Sequence, residues 1–389
     1  MKHLLLLCLL MLAACGDPGA VTSQNVAGGK DVPMAHAKTF TVIERDGYRI
    51  VDMRANLVNW GGGASGPKQK VRLLLLPKGK PVPKLDGDLA NAVLIRTPVK
   101  RIAVNYGSME AILTALGIDD RLVAVGGVKS YNDSIRERVK AGKIAQVGYG
   151  WHSPPNLDVL VASKPDLFIM SLADLSHVQA MERARSLGIP VMPAFIDNEP
   201  HYMGSVDYVH LIGMLTGREK EAEAYVKMVA ANVADIRSRV EKLPRKQIVY
   251  SWYSGGDKWM ATVQGGDGRL LTDAGATNPL SIPDDPRKDN FQTISSETML
   301  TKARDADCWV WRDTHSKPYP QKDFLVQFKA VRQGCTFAAD GLTKPEVDAF
   351  DYYERAAIRP DLELRDLAMM LHPELRDRPF TYIRPDMQK

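Results

Sequence analysis

Histidine and cysteine are the residues of this chain best suited to hold a metal or attack a substrate, and their spacing supports neither. Eight histidines and four cysteines are spread over 389 residues. There is no H-E-x-x-H, no C-x-x-C, no G-x-S-x-G nucleophile turn and no G-x-x-x-x-G-K-[ST] phosphate loop. His201 and His210 lie on either side of a helix start at no ligand spacing. Gly148-Tyr149-Gly150 begins a G-x-G, but no βαβ crossover follows it where a dinucleotide site would need one. No catalytic residue, no metal site and no resident cofactor is therefore expected, and the chain does not read as an enzyme. Cys308 and Cys335 stand near the starts of two predicted strands. Export would permit a disulfide between them; two buried free thiols are the alternative.

Cys15 is different, because its neighbours give its thiol a reaction. Lys2 is followed by an apolar run from Leu4 to Leu12, then Ala13-Ala14-Cys15. A basic start, a short apolar core and small residues make a secretory signal, too short to span a bilayer. Leu12-Ala13-Ala14-Cys15 resembles a bacterial lipobox, which implies cleavage before Cys15 and lipid on its sulfur. The expected plan is a signal over 1–14, a tether over 15–38 and a soluble, monomeric body. That body would be held at a membrane outside the cytoplasm, periplasmic or on the cell surface. Hydrophobic content of 45% and charged content of 25% suit a folded body. Lys and Arg number 51 against 46 Asp and Glu, and the mixed signs give no case for nucleic acid.

The elements that would position a binding site are α/β. Thr39–Ile43 and Tyr48–Asp52 flank Asp46-Gly47, a hairpin signal, and further strands follow at Val71–Leu76 and Ala92–Ile95. This makes a β-rich appendage over 39–97. From Pro98, strands at Arg101–Val104, Leu122–Val125, Asp166–Met170 and Pro190–Pro193 alternate with helices, so a parallel sheet with crossover helices is expected over 98–203. A helical bridge spans 204–243. Its second helix, Gly217–Lys242, is amphipathic through Ala222, Tyr225, Val226, Val229, Val233, Ile236 and Val240, with Thr216 and Glu219 at capping-box spacing. From 244 to 389 the same order is expected again. Two such lobes would turn the carboxyl ends of their strands toward a cleft.

Several of these segments are shared with a known family. Pro98–Val104, Glu110–Gly117 and Asp120–Gly126 resemble the opening of periplasmic binding proteins for iron–siderophore, haem and cobalamin ABC importers. So do Val147-Gly148, Asn156-Leu157-Asp158 and Lys164-Pro165-Asp166-Leu167. Arg359-Pro360-Asp361-Leu362 and Leu371-His372-Pro373-Glu374-Leu375 resemble its close. The resemblance covers about Pro98 to Leu375. It implies two Rossmann-like lobes joined by a rigid helix, limited lobe movement, and capture of a metal chelate for an importer permease. The segment before Pro98 has no counterpart in the minimal members.

The resemblance also implies residue roles. One acidic residue on each lobe would dock on permease arginines: Asp158, where the usual residue is Glu, and Glu297 in Ile294-Ser295-Ser296-Glu297. Ordinary helix capping is the competing reading at both. The cleft would be lined by Tyr131, by Trp151 or Tyr149, by Trp252 or Tyr253, by Phe291, and by the acidic loop with Asp351 and Tyr352. Aromatic faces suit a flat macrocycle or aromatic chelate. An anionic siderophore would call for Arg312, Lys129 or Lys258, and a haem for Tyr131, Tyr149 or His152 at the iron. The aromatic balance leans toward a corrinoid or similar chelate. A surface-adhesion or sensory lipoprotein that uses the same fold without transport is the alternative.

Overall fold

The computed structural model describes residues 29–57, 68–150, 153–172, 174–285, 288, 290–311 and 321–385. Cys15, Trp151, His152 and Arg312 lie outside these residues.

The chain begins with a five-stranded sheet of β1 (Lys30–Val32), β2 (Phe40–Arg45), β3 (Tyr48–Ala55), β4 (Gln69–Pro77) and β5 (Val93–Thr97), in that order. β1 to β4 run antiparallel and β5 pairs parallel to β4. Asp46 and Gly47 take φ of 41° and 82°, the two left-handed positions of the tight turn that Asp-Gly favours. Along β2 to β5, Phe40, Val42, Val51, Met53, Leu73, Leu75 and Ile95 are buried in one continuous core with the lobe that follows. The sheet is therefore built into the first lobe rather than appended to it.

The expected tether also ends early. Lys30–Val32 already pairs with β2. The amides of His36 and Ala37 donate to Asp207 Oδ2 at 2.7 and 2.8 Å. Those of Lys38 and Thr39 donate to Glu199 at 2.7 and 3.0 Å. The Thr39 hydroxyl adds a third bond to Glu199. The segment looks unstructured in sequence because its partners are carboxylates far along the chain, not local periodicity.

The first lobe follows as β6 (Ile102–Val104), α1 (Gly107–Ala115), β7 (Leu122–Val125), α2 (Asp133–Lys140), β8 (Ala145–Gln146), α3 (Leu157–Ser163), β9 (Leu167–Ser171), α4 (Leu175–Ser186) and β10 (Val191–Ala194). Its sheet is wholly parallel in the order β10-β9-β6-β7-β8. α2 is the element that apolar periodicity hides. Only Ile135 and Val139, one turn apart, anchor its apolar side, and Asn132 caps it by accepting from Ser134 and Ile135 amides.

Two helices join the lobes, α5 (Tyr202–Thr216) and α6 (Glu219–Val240). Gly217 ends α5 at φ 69°, a conformation that suits glycine. A Cβ on Gly213 would lie 2.7 Å from Ala222 Cβ, so glycine is what lets the two helices approach. The capping box expected at Thr216 and Glu219 does not form. Thr216 Oγ1 donates back to Ile212 O at 2.6 Å, and Glu219 pairs with Arg49 of β3 at 3.2 Å. The 22 residues of α6 span roughly 33 Å. Ala222 is buried in the first lobe's core. Val229, Val233, Ile236 and Val240 are buried in the second lobe's core, and Tyr225 and Val226 touch both.

The second lobe contains β11 (Lys246–Gly255), β12 (Lys258–Thr262), α7 (Gly265–Asp273), β13 (Ala276–Thr277), β14 (Phe291–Ser295), α8 (Ser296–Ala303), β15 (Cys308–Trp311), α9 (Lys322–Leu325), α10 (Lys329–Arg332), β16 (Thr336–Ala338), β17 (Thr343–Lys344), β18 (Ala349–Phe350), α11 (Tyr352–Arg355), α12 (Pro360–Leu371) and β19 (Arg384–Pro385). It does not repeat the first lobe. β13, β11, β15 and β16 are joined by parallel pairings, whereas β12, β14 and β19 each pair antiparallel to a neighbour in the order β14-β12-β11-β15-β16-β19. Gly255 and Gly256, at φ 93° and 61°, make the tight return that places β12 beside β11. Cys308 and Cys335 form a disulfide with Cα atoms 4.7 Å apart, joining β15 to the approach to β16.

Candidate functional site

Three parallel strands of the first lobe, β6, β7 and β8, end side by side. The turns that leave them carry Gly107, Lys129, Ser130 and Tyr149. From the second lobe, β18, α11 and the residue before β18 bring Asp348, Phe350, Tyr353 and Glu354. Together with Glu110 of α1, these residues line a cavity of about 180 Å³. A cavity outside the carboxyl ends of parallel strands, closed by a second lobe, is where α/β sheets of this kind bind ligands.

Small residues make the approach possible. The Tyr149 ring lies on the backbone of Gly126 and Gly127, where added Cβ atoms would come within 2.3 and 3.0 Å of it. The Tyr149 hydroxyl accepts from the Lys129 amide at 2.6 Å. α11 packs against α1, and a Cβ on Gly107 would lie 2.6 Å from Glu354 Cγ. Polar contacts also cross between the lobes. The Tyr131 amide donates to Glu354 Oε1 at 2.6 Å. Lys344 reaches Tyr131 O at 2.9 Å and Asp133 at 2.7 Å, with its ammonium 4.4 Å from the centre of the Tyr131 ring. Lys129 pairs with Asp348.

Two buried carboxyls, Glu110 and Glu354, dominate the electrostatics. Burial pushes Glu110 up to about 7, against a hydrogen bond from Ser130 that draws it down. Glu354 is held well above the usual carboxylate range by burial and then by the charge of Glu110, with the Tyr131 amide opposing. Burial, then the Glu110 charge, also raises the Tyr149 hydroxyl.

The residues expected in the cleft separate into two groups. Tyr149 and Lys129 line the cavity, whereas Tyr131 does not and its ring lies under Lys344. Trp252, Tyr253 and Phe291 do not line it. They were expected on loops after strands, but β11 continues through Trp252 and Tyr253, and Phe291 opens β14. Trp252 and Phe291 pair at 5.2 Å between ring centres, while Tyr253 packs on buried Trp259 at 4.9 Å. Aromatic residues favour half-buried strand positions, and that preference extends β11 here. Asp351 and Tyr352 face the core instead of the cleft. Asp351 is ion-paired to Arg355 at 2.6 Å, and the Tyr352 hydroxyl meets that of Tyr250 at 2.6 Å and donates to Glu363. Their neighbours Phe350, Tyr353 and Glu354 face the cavity, since the chain turns into a helix at this point and its faces alternate. Lys258 starts β12, beside the hairpin turn and exposed.

Glu110 and Glu354 were not singled out from sequence. A signal for Glu110 was present: an acidic residue among Met109, Ile112 and Leu113 on the buried side of an apolar helix.

Asp158 and Glu297 both lie in first helical turns and both are exposed. The caps there are other residues. Asn156 accepts from the amides of Asp158 and Val159, and Ser295 accepts from the amide of Thr298. Capping therefore does not occupy either carboxylate.

Two α/β lobes riveted by two helices, with a cavity between them, define a solute-binding fold. The chain belongs to the periplasmic binding protein family, whose model matches residues 102–336. An uncharacterized lipoprotein of Methanocaldococcus jannaschii is 26% identical over 325 residues, which are 78% of this chain and 73% of that protein. An uncharacterized ABC transporter substrate-binding lipoprotein of Bacillus subtilis is 25% identical over 156 residues, 40% of this chain and 46% of that protein. A periplasmic heme binding protein from Pseudomonas aeruginosa shares the fold, with a TM-score of 0.58 at 17% identity over 75% of this chain and 99% of that one.

The Glu110–Glu354 pair makes stability depend on pH with a definite sign. The folded state holds the Glu110 proton up to about pH 7, whereas an unfolded carboxyl releases it near about 4.3. Between these values the folded state binds more protons, so stability falls as pH rises through that window. Glu110→Gln removes the loss. The variant is expected to match wild type in urea unfolding at about pH 4 and to exceed it by roughly 3 kcal/mol at about pH 8. A variant less stable than wild type at the higher pH would mean that the Glu110 carboxylate is favourably held as an anion.

Proposed function

We propose that this protein is a lipid-anchored extracytoplasmic binding protein that captures a metal chelate between its lobes and delivers it to an ABC importer. The observation that carries the reading is the convergence of both lobes on one cavity, with Tyr149, Phe350 and Tyr353 around it. Family membership and relatives that are themselves lipoproteins support an extracytoplasmic place. The haem bound by the Pseudomonas aeruginosa protein of the same fold supports a chelate as cargo. Lipid on Cys15 would keep the body near the permease. The cavity itself is smaller than a macrocycle needs, since ligand pockets usually run to about 300–1,000 Å³. A chelate would thus occupy the mouth of the cleft as well as the cavity.

Exposed Asp158 and Glu297, one on each lobe, suit docking on permease arginines. Exposed carboxylates of this kind steer association over a distance of about 10 Å at moderate salt.

Titration of the protein from Gly16 onward with cobalamin, haemin and ferric siderophores should give saturable tryptophan quenching by at least one class. Quenching by none of them would refute chelate capture. Separately, Glu297→Ala should leave that affinity within about twofold of wild type while reducing chelate uptake by whole cells. Loss of affinity in the variant would instead make Glu297 a ligand or structural residue.

A further inference from the structure

The walls of the cavity carry an unusual mixture of chemistry. Three are aromatic rings, Tyr149, Phe350 and Tyr353, and three are acids, Glu110, Glu354 and Asp348. Among the described lining residues Lys129 is the one basic residue, and it is already paired with Asp348. The nearby cations are likewise engaged. Arg136 donates to the carbonyls of Ser130 and Tyr131 and pairs with Asp133, and Lys344 bonds to Tyr131 O and Asp133. An anionic group entering the cavity would meet carboxyls and find no uncommitted cation among the described lining residues.

Glu110 adds a second, independent observation. It is 1% exposed, it lines the cavity, and its Oε2 has no hydrogen-bond partner among the described residues. A buried carboxyl oxygen without a donor is costly to maintain, and a donor supplied from the cavity relieves that cost. Aromatic faces beside carboxylates are the surroundings that hold alkylammonium and guanidinium groups, through cation–π attraction and charge-assisted hydrogen bonds. The volume, about 180 Å³, suits one such arm rather than a whole chelate.

We propose that this cavity is a subsite for a cationic arm, an ammonium or guanidinium group, of the captured chelate, with Glu110 Oε2 and Glu354 accepting its hydrogen bonds and Tyr149, Phe350 and Tyr353 packing around it. The assignment rests on chelate capture between the lobes. It makes Glu110 and Glu354 specificity residues, because they select the arm and leave the metal centre to the mouth of the cleft. Chelates whose arms end in carboxylates are disfavoured by the same walls.

The test uses haemin, cyanocobalamin and a ferric trihydroxamate, each carrying an aminoethyl arm, the same arm acetylated, or the same arm succinylated. Affinities are read by tryptophan quenching on the mature chain. For each chelate core that binds, the amine form should bind at least about tenfold tighter than the acetylated form, and the succinylated form should bind most weakly. Glu110→Gln should cut the amine preference to about threefold or less, and Glu354→Gln should act in the same direction. A thermal melt confirms that each variant is folded, and the wild-type ranking of arms stands as a test if a variant is not. Equal affinity for all three arms, or tighter binding of the succinylated arm, overturns the subsite and leaves chelate capture intact. Absence of saturation by every member of the set overturns both.

Discussion

A pair of helices, α5 and α6, each buried in two hydrophobic cores, is the constraint on which the rest of the structure depends. α6 places Ala222 among the apolar side chains of the first lobe and Val229, Val233, Ile236 and Val240 among those of the second. Polar bonds fix it at both ends of that seam. Glu219 pairs with Arg49 of the N-terminal sheet, and Asn232 donates to Asp361 of α12 at 2.8 Å. Swinging the lobes apart about α6 would pull apolar surface out of one core or the other, at about 25 cal/mol per Å² exposed. A helix held in this way acts as a strut. Ligand exchange then falls to the loops around the cavity and not to a hinge within the bridge.

The N-terminal sheet extends the same logic. Its inner face is continuous with the first lobe's core, and the segment before it is drawn onto Glu199 and Asp207 near and within α5. Burial raises Glu199 to about 7, opposed by the bonds from Lys38 and Thr39, so that carboxyl is held by donors the incoming chain provides. The point where the chain arrives from Cys15 is thereby tied to the helical bridge.

Much of this plan was legible in the sequence, and the parts that were not share a cause. The parallel first lobe, the Asp-Gly turn and the buried positions of α6 follow from local patterns that tertiary packing reinforces. Of the residues expected in the cleft, Tyr149 and Lys129 line the cavity. What local pattern misses is chemistry supplied from afar. The bonds of residues 36–39 and the placement of Glu354 beside Glu110 depend on residues more than a hundred positions away. The misplacement of Trp252, Tyr253 and Phe291 has a separate origin. Aromatic residues serve equally in strands and in binding loops; here the Gly255-Gly256 turn pairs β11 with β12, and β12 pairs in turn with β14. Asp351 and Tyr352 fell one helical face away from the residues that line the cavity.

The central claim is that ligand is held by both lobes at once while α6 stays fixed. Backbone hydrogen exchange of the mature protein, with and without a chelate that quenches its tryptophans, tests this most directly. The account predicts added protection on both sides of the cavity, over 126–131 and 149–150 in the first lobe and over 348–354 in the second, with no change along Glu219–Val240. Protection confined to one lobe, or faster exchange within α6 on binding, would contradict it.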